Sequence, residues 1–210
     1  PGAVAVYDPS NMATLFQDRA GTIPVTQSGQ PVQKIVEQSG NGPALISPLG
    51  FADPIYEVGT GGPDAGKSWV LCGPGAELVS EGDVNLPFST DQFVCFAFRA
   101  VGNETSFDHL YNSKGTNTGN ASYRQPLIFL TASDPDRLTV SWGGPSLSSN
   151  YTDPIVGTDF TISTWVSPDE RVVVANGVTK NNAAGITLTD DGDTGPLQVS
   201  WPSDADVRYY

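Results

Sequence analysis

Glycine and proline interrupt this chain so often that a helix of any length has almost nowhere to form. Its 23 glycines and 17 prolines stand among serines, threonines and asparagines. Such residues build turns, glycine by reaching positive φ, proline by fixing φ, and the small polar side chains by bonding their own backbone. Between the breaks lie short runs of strand character. Leu138-Thr-Val-Ser-Trp142 alternates apolar and polar residues, and Leu197-Gln-Val-Ser-Trp201 repeats the form. Phe93–Arg99 is apolar on both faces, the pattern of a central strand covered on both sides, and Leu127–Leu130 shares it. Val32–Val36, Ile55–Val58, Trp69–Cys72, Phe160–Val166 and Arg171–Ala175 read as further strands, with Asn176-Gly177 as a two-residue hairpin turn. One helix signal stands out, S-N-M-A-T-L-F-Q-D at 10–18, where Ser10 or Asn11 can cap and Met12, Leu15 and Phe16 share a face. The expected architecture is all-β, a sandwich or barrel.

Bulk properties narrow the function. With 10 basic against 23 acidic residues the net charge is −13. A surface of that sign repels nucleic acid and anionic lipid, and no local basic cluster offsets it. No apolar run approaches the length of a membrane span, and the opening P-G-A-V-A-V-Y-D is not a signal peptide. The expectation is synthesis in a cytoplasm without secretion or membrane insertion, so the sequons at Asn103, Asn120 and Asn150 are discounted. Cys72 and Cys95 sit in strand-like runs and read as buried free thiols in preference to a cross-strand disulfide.

G-T-G-G-P-D-A-G-K-S, residues 59–68, matches the phosphate-cradling pattern G-x-x-x-x-G-K-[ST] through Gly61, Gly66, Lys67 and Ser68. A phosphate loop needs a helix directly after it, so that the helix N-terminus and the loop amides hold the phosphates together. Here W-V-L-C and then G-P-G-A follow, and Asp64 places a carboxylate inside the loop. The stretch therefore reads as a hairpin loop matching the motif by chance, with no nucleotide bound.

Other constellations are thin. No G-x-S-x-G elbow occurs, and His109 is the one histidine. No E-x-D-x-x-E places two carboxylates on one strand face, as glycoside hydrolysis would require; Glu77 and Glu81 read as the rim of a turn. Asp190, Asp191 and Asp193 in T-D-D-G-D-T-G offer hard oxygen ligands that can take calcium, although the spacing is not that of an EF-hand and such turns are common without metal. No cofactor is otherwise expected.

Residues 8–32, D-P-S-N-M-A-T-L-F-Q-D-R-A-G-T-I-P-V-T-Q-S-G-Q-P-V, followed by Q-S-G-N-G at 38–42, resemble a recurring opening in tailed-bacteriophage and prophage structural proteins, where it precedes a concanavalin A-like (laminin-G-like) jelly roll. F-T-I-S-T-W and R-V-V-V-A-N-G-V are similar to a strand and hairpin used late in such rolls. The resemblance implies an N-terminal extension of short helix and loops over 1–45 and a jelly-roll β-sandwich over 46–210. It also implies a non-enzymatic virion surface protein, either head decoration or head fibre, or tail fibre or tail tip. Partners would be other virion proteins, further copies of the chain and host surface polysaccharide. Family members usually end in a further strand and acidic helix; this chain stops at D-V-R-Y-Y, so the closing sheet edge is expected to be completed by a neighbouring subunit.

For a glycan surface, sugar sites pair an aromatic face with amide and carboxylate groups. The stretch 102–125, read as a long surface loop, concentrates them in Phe107, His109, Tyr111, Asn112, Asn117 and Tyr123. Trp69, Trp142 and Trp201 read as core, and Tyr209-Tyr210 as an exposed aromatic end. A free lectin-like carbohydrate-binding module is the alternative function, and a glucanase-type hydrolase a third.

Overall fold

A computed structural model describes residues 5–84, 92–101, 108–113, 124–131, 134–141, 149–151, 157–167, 169–184, 195–199 and 206–210. In chain order the strands are β1 Leu15–Phe16, β2 Lys34–Ile35, β3 Leu45–Ile46, β4 Ile55–Val58, β5 Ser68–Cys72, β6 Leu78–Val84, β7 Gln92–Val101 and β8 Asp108–Ser113. They continue as β9 Arg124–Thr131, β10 Asp134–Ser141, β11 Ser149–Tyr151, β12 Phe160–Val166, β13 Glu170–Ala175, β14 Val178–Ala184, β15 Gly195–Val199 and β16 Asp206–Tyr209. Among the described residues these form a nine-stranded sheet, β1-β2-β3-β6-β15-β8-β9-β10-β11, and a seven-stranded sheet, β14-β13-β12-β7-β16-β5-β4.

Period-two alternation explains how the sheets meet. Leu15, Ile35, Leu45, Leu78 and Leu197 from the larger sheet join Val70, Cys72, Phe98, Ala100, Phe160, Ile162, Val173, Val207 and Tyr209 from the smaller in one buried core. Phe98 stacks obliquely on Phe96 and Phe160 there. Residues 15–46 thus supply strands and core side chains to the sandwich, rather than only lying against it. Burying a side chain such as Phe98 or Ile162 contributes about 1.5–3 kcal/mol.

Several local readings change. The S-N-M-A-T stretch makes a single 3-10 turn, Met12–Thr14, capped by Asn11, before the chain extends into β1; β-sheet pairing of Leu15 and Phe16 with Ile35 and Lys34 outweighs the short helical pattern. Asp8, Asp18, Gln30 and Glu37, all within the 8–42 stretch, close turns with their side chains. Asp8 Oδ1 accepts from Ser10 N and Oγ. Asp18 accepts from Thr22 N, Thr22 Oγ1 and Ile23 N, and Gln30 Oε1 accepts from Thr26 N and Gln27 N. Much of residues 8–42 is therefore a set of side-chain-locked turns. Glu77 is buried and accepts from Gln198 Nε2, and Glu81 lies in β6 paired with Lys34, so neither rims a turn.

The segment D-V-R-Y is an interior strand of the smaller sheet. It forms β16 between β7 and β5, bonded on both sides within the chain. Tyr209 is buried and Tyr210 is tied down by hydrogen bonds, which corrects the reading of an exposed aromatic end. β7 is central, as expected, but its outer side is not covered: Phe93 is 68% exposed and Cys95 is exposed. Of the two thiols only Cys72 is buried, and the two cysteines are not joined in a disulfide. Asn176 and Gly177, at φ 49° and 75°, form the β13–β14 turn.

Candidate functional site

The loop at 59–67 joins β4 to β5, an antiparallel pair in which Val58 lies opposite Ser68. It contains one 3-10 turn, Gly62–Asp64, and is followed by a strand where a phosphate loop would have a helix. Gly59 is the glycine the loop requires: a Cβ there would meet the Asp64 carbonyl oxygen at 2.0 Å. Gly61 is extended and would accept a Cβ freely, whereas Gly66 sits at φ +77°. Folded this way, the loop carries Asp64 and Lys67 onto the outer face of the smaller sheet.

That face is organised by register. Arg208 of β16 lies opposite both Arg99 of β7 and Leu71 of β5. Arg99 NH1 donates to Asp64 Oδ2 at 2.7 Å, while Nε and NH2 reach Asp159 Oδ1 at 2.6 and 2.5 Å. Lys67 Nζ donates to Asp159 Oδ2 at 2.7 Å, Tyr210 OH to Asp159 Oδ1 at 2.9 Å, and Arg208 NH1 to Asp64 Oδ2 at 3.1 Å. Arg208 also lies 4.4 Å over the Trp69 ring, whose Nε1 donates to Glu57 Oε2 at 2.8 Å. Trp69 is buried as expected, yet beneath a guanidinium on the outer side of its sheet.

Electrostatics follow from these partners. The hydrogen bond from Arg99 holds Asp64 below the usual carboxylate range against the effect of burial, helped by the charges of Arg99, Arg208 and Lys67. Burial works to raise Asp159, but hydrogen bonds from Lys67, Tyr210 and Arg99 outweigh it and bring it down. Burial, with the Asp159 contact, pushes the Tyr210 phenol up to about 12. A general acid for glycoside cleavage needs its carboxyl raised and free to give a proton. Asp64 and Asp159 are shifted the opposite way and are occupied by cations.

Beside this lattice the face opens. Lys67, Ala97, Asp159, Phe160, Thr161 and Tyr210 line a shallow depression of about 220 Å³. Further along β7 and β12, Cys95 lies opposite Ser163 and Phe93 opposite Trp165. Trp165 is 39% exposed, next to the 68% exposed Phe93. Two adjacent aromatic side chains left in solvent on a sheet face are the feature that most calls for a ligand.

Of the residues singled out from sequence, His109, Tyr111 and Asn112 fall on β8, paired with β15 and β9 in the larger sheet, so the stretch read as a long loop contains a strand. Phe107, Asn117 and Tyr123, and the calcium candidates Asp190, Asp191 and Asp193, lie outside the described residues, as do Trp142 and Trp201. Among the described residues no cluster of three or more His, Cys, Asp or Glu is placed to hold a metal ion. Sequence reasoning missed Phe93, Trp165, Asp159 and Tyr210 as site residues. One signal was available: Arg99 shares a strand face with Ala97, Cys95 and Phe93, and a charged residue on that side marks it as solvent-facing.

No protein-family model matches the chain, and no curated protein matches it in sequence. Solved structures do match in shape. A GH54 α-L-arabinofuranosidase soaked with 4-nitrophenyl α-L-arabinofuranoside superposes with TM-score 0.58 at 12% identity, over 86% of this chain and 46% of the enzyme. A botulinum neurotoxin type C structure, described by its cell entry through two ganglioside molecules, gives 0.57 at 13% identity, over 88% and 45%. The fold is a concanavalin A-like jelly-roll sandwich. A Bacillus licheniformis β-glucanase aligns along 100% of this chain and 96% of its own, at TM-score 0.49 and 12% identity. The chain spans less than half the length of the arabinofuranosidase and of the toxin. Among the described residues no helix is long and apolar enough to cross a membrane.

Proposed function

We propose that this chain is a non-enzymatic, glycan-contacting β-sandwich displayed on a virion surface, working with other virion proteins and with further copies of itself. The observation that carries the glycan reading is the outer face of the smaller sheet, where Phe93 and Trp165 stand exposed on the same face as a shallow depression edged by Lys67, Asp159 and Tyr210. Pyranose rings present C–H faces to aromatic rings and hydroxyls to polar groups, and this face offers both. The ion pairs that engage Asp64 and Asp159 support a binding role over hydrolysis. The resemblance of residues 8–42 to phage structural proteins supports the virion setting. Sugar-related functions in the shape neighbours, an arabinofuranosidase and a ganglioside-dependent toxin, lend support by analogy of fold.

Light scattering of the purified chain, combined with a glycan array, tests this. Selective retention on one glycan class by a stable oligomer is the expected result. An oligomer that retains none would leave a purely architectural role, and a monomer with selective binding would favour a free lectin-like module. Mass spectrometry of purified particles tests the virion setting separately.

A further inference from the structure

We infer that the occupant of the outer face is an extended, uncharged polysaccharide segment lying along β7 and β12, stacked at one end on Trp165 and Phe93 and at the other on Tyr210; this rests on the glycan reading above.

The register sets out the path. Phe93 lies opposite Trp165, Cys95 opposite Ser163, and Ala97 opposite Thr161, three successive rows on one side of the sheet. Tyr210 N donates to Ala97 O, so the tyrosine stands beside the last row. Small side chains (Cys95, Ser163, Ala97 and Thr161) thus floor a strip with an aromatic residue at each end. Phe93 and Ala97 are separated by four residues, about 13 Å of strand. One sugar ring cannot reach both ends, whereas a chain running along the strands can. The depression at the Tyr210 end supplies depth, and Asp159 and Lys67, with side chains 42% and 40% exposed, offer hydrogen-bonding atoms to hydroxyls there.

Charge selects the class. Lys67, Arg99 and Arg208 are matched around the strip by Asp64, Asp159 and Glu57, and Lys67 and Arg99 are both engaged by Asp159. The chain carries −13 overall. An acidic glycan would meet long-range repulsion with no surplus of cations at the site to offset it, whereas a neutral one meets none. Aromatic stacking with hydroxyl hydrogen bonding needs no charge on the ligand.

The strip contains its own reporter. Cys95 is exposed on its floor, while the other cysteine, Cys72, is buried. Maleimide labelling of the native chain therefore reads occupancy directly. The probes are gluco-, xylo-, manno- and chito-oligosaccharides from mono- to hexasaccharide, with oligogalacturonate as the acidic comparison. At least one neutral hexasaccharide is expected to slow Cys95 labelling severalfold, its disaccharide less, and oligogalacturonate not at all. Trp165→Ala should raise the protective concentration about tenfold. Ala97→Trp, which fills the floor, should abolish protection while circular dichroism stays unchanged. Protection by a monosaccharide as strong as by the hexasaccharide, or by oligogalacturonate alone, overturns the inference. So does array binding that leaves Cys95 labelling unaltered, which sinks this strip while the glycan reading survives. Labelling slowed only by raising protein concentration assigns the aromatic pair to a second copy of the chain and also overturns it. If no glycan is retained on the array either, both readings fall.

Discussion

Arg99 and Asp159, on β7 and just before β12, are joined through both Nε and NH2 of the guanidinium to one carboxylate oxygen, and the same guanidinium reaches Asp64 with NH1. One side chain thereby pins the 59–67 loop and the lead-in to β12 onto the middle of the smaller sheet. Two charge-assisted contacts from a guanidinium only 12% exposed make this pair stronger than an ordinary surface ion pair. Arg99→Ala leaves Asp64 and Asp159 with only Lys67 and Arg208 as cations. The expected cost is about 2 kcal/mol, a fall in Tm of roughly 4–8 °C, measured by urea and thermal unfolding. Arg99→Lys should recover less than half of it, because a single ammonium lacks the planar fork that reaches Asp64 through NH1 and Asp159 through Nε and NH2.

Glu37 gives the molecule an acid-sensitive clasp. Its carboxylate accepts backbone N–H bonds from Val6, Ser39, Gly40, Asn41 and Gly42, which explains why Q-S-G-N-G follows it. Burial raises the group, but hydrogen bonds from the Ser39 side chain and from the Val6, Ser39 and Gly42 amides outweigh that and lower it to about 2. Its folded pKa is depressed, so its contribution is complete above the unfolded value of about 4.5 and is lost as pH falls toward 2. Glu37→Gln should cost about 2 kcal/mol at neutral pH, flatten stability across that acid window, and speed hydrogen exchange at Val6 and 39–42.

Tyr210 tests the C-terminal anchor with the opposite sign. Its phenol pKa is raised to about 12 by burial and by Asp159, so its contribution is present below about 10 and is lost as pH rises through 12. Absorbance titration should show a tyrosine ionising near 12 that is missing from Tyr210→Phe, along with a loss of about 1 kcal/mol.

Two glycines of the β4–β5 loop, Gly59 and Gly61, should behave unequally. Gly59→Ala drives a Cβ against the Asp64 carbonyl and is expected to cost about 3 kcal/mol or to rebuild the loop. Gly61→Ala, with open space around it, should stay within about 0.5 kcal/mol. Unfolding midpoints of the two variants decide this.

Much of the fold was legible because it is written locally. Ile55–Val58 and Phe160–Val166 match the observed strands end to end, and Asn176-Gly177 makes its hairpin, since alternation and turn chemistry act over a few residues. The site was not legible. Asp64 meets Arg208 across 144 positions and Lys67 meets Asp159 across 92, and only the crossovers of the sheet bring them together. β8 was hidden for a related reason: D-H-L-Y-N-S is polar and lacks alternation, and its strand conformation is imposed by pairing with β9 and β15. D-V-R-Y failed similarly, because nothing in four residues reveals that they insert between β7 and β5.

The most direct test of the central claim is affinity electrophoresis of wild type and Trp165→Ala through gels cast with neutral polysaccharides, with reducing ends assayed in the same samples. Binding at the outer face without catalysis predicts retardation by at least one polysaccharide, loss of that retardation in Trp165→Ala, and no new reducing ends. Equal retardation of both proteins, retardation in no gel, or release of reducing ends would contradict it.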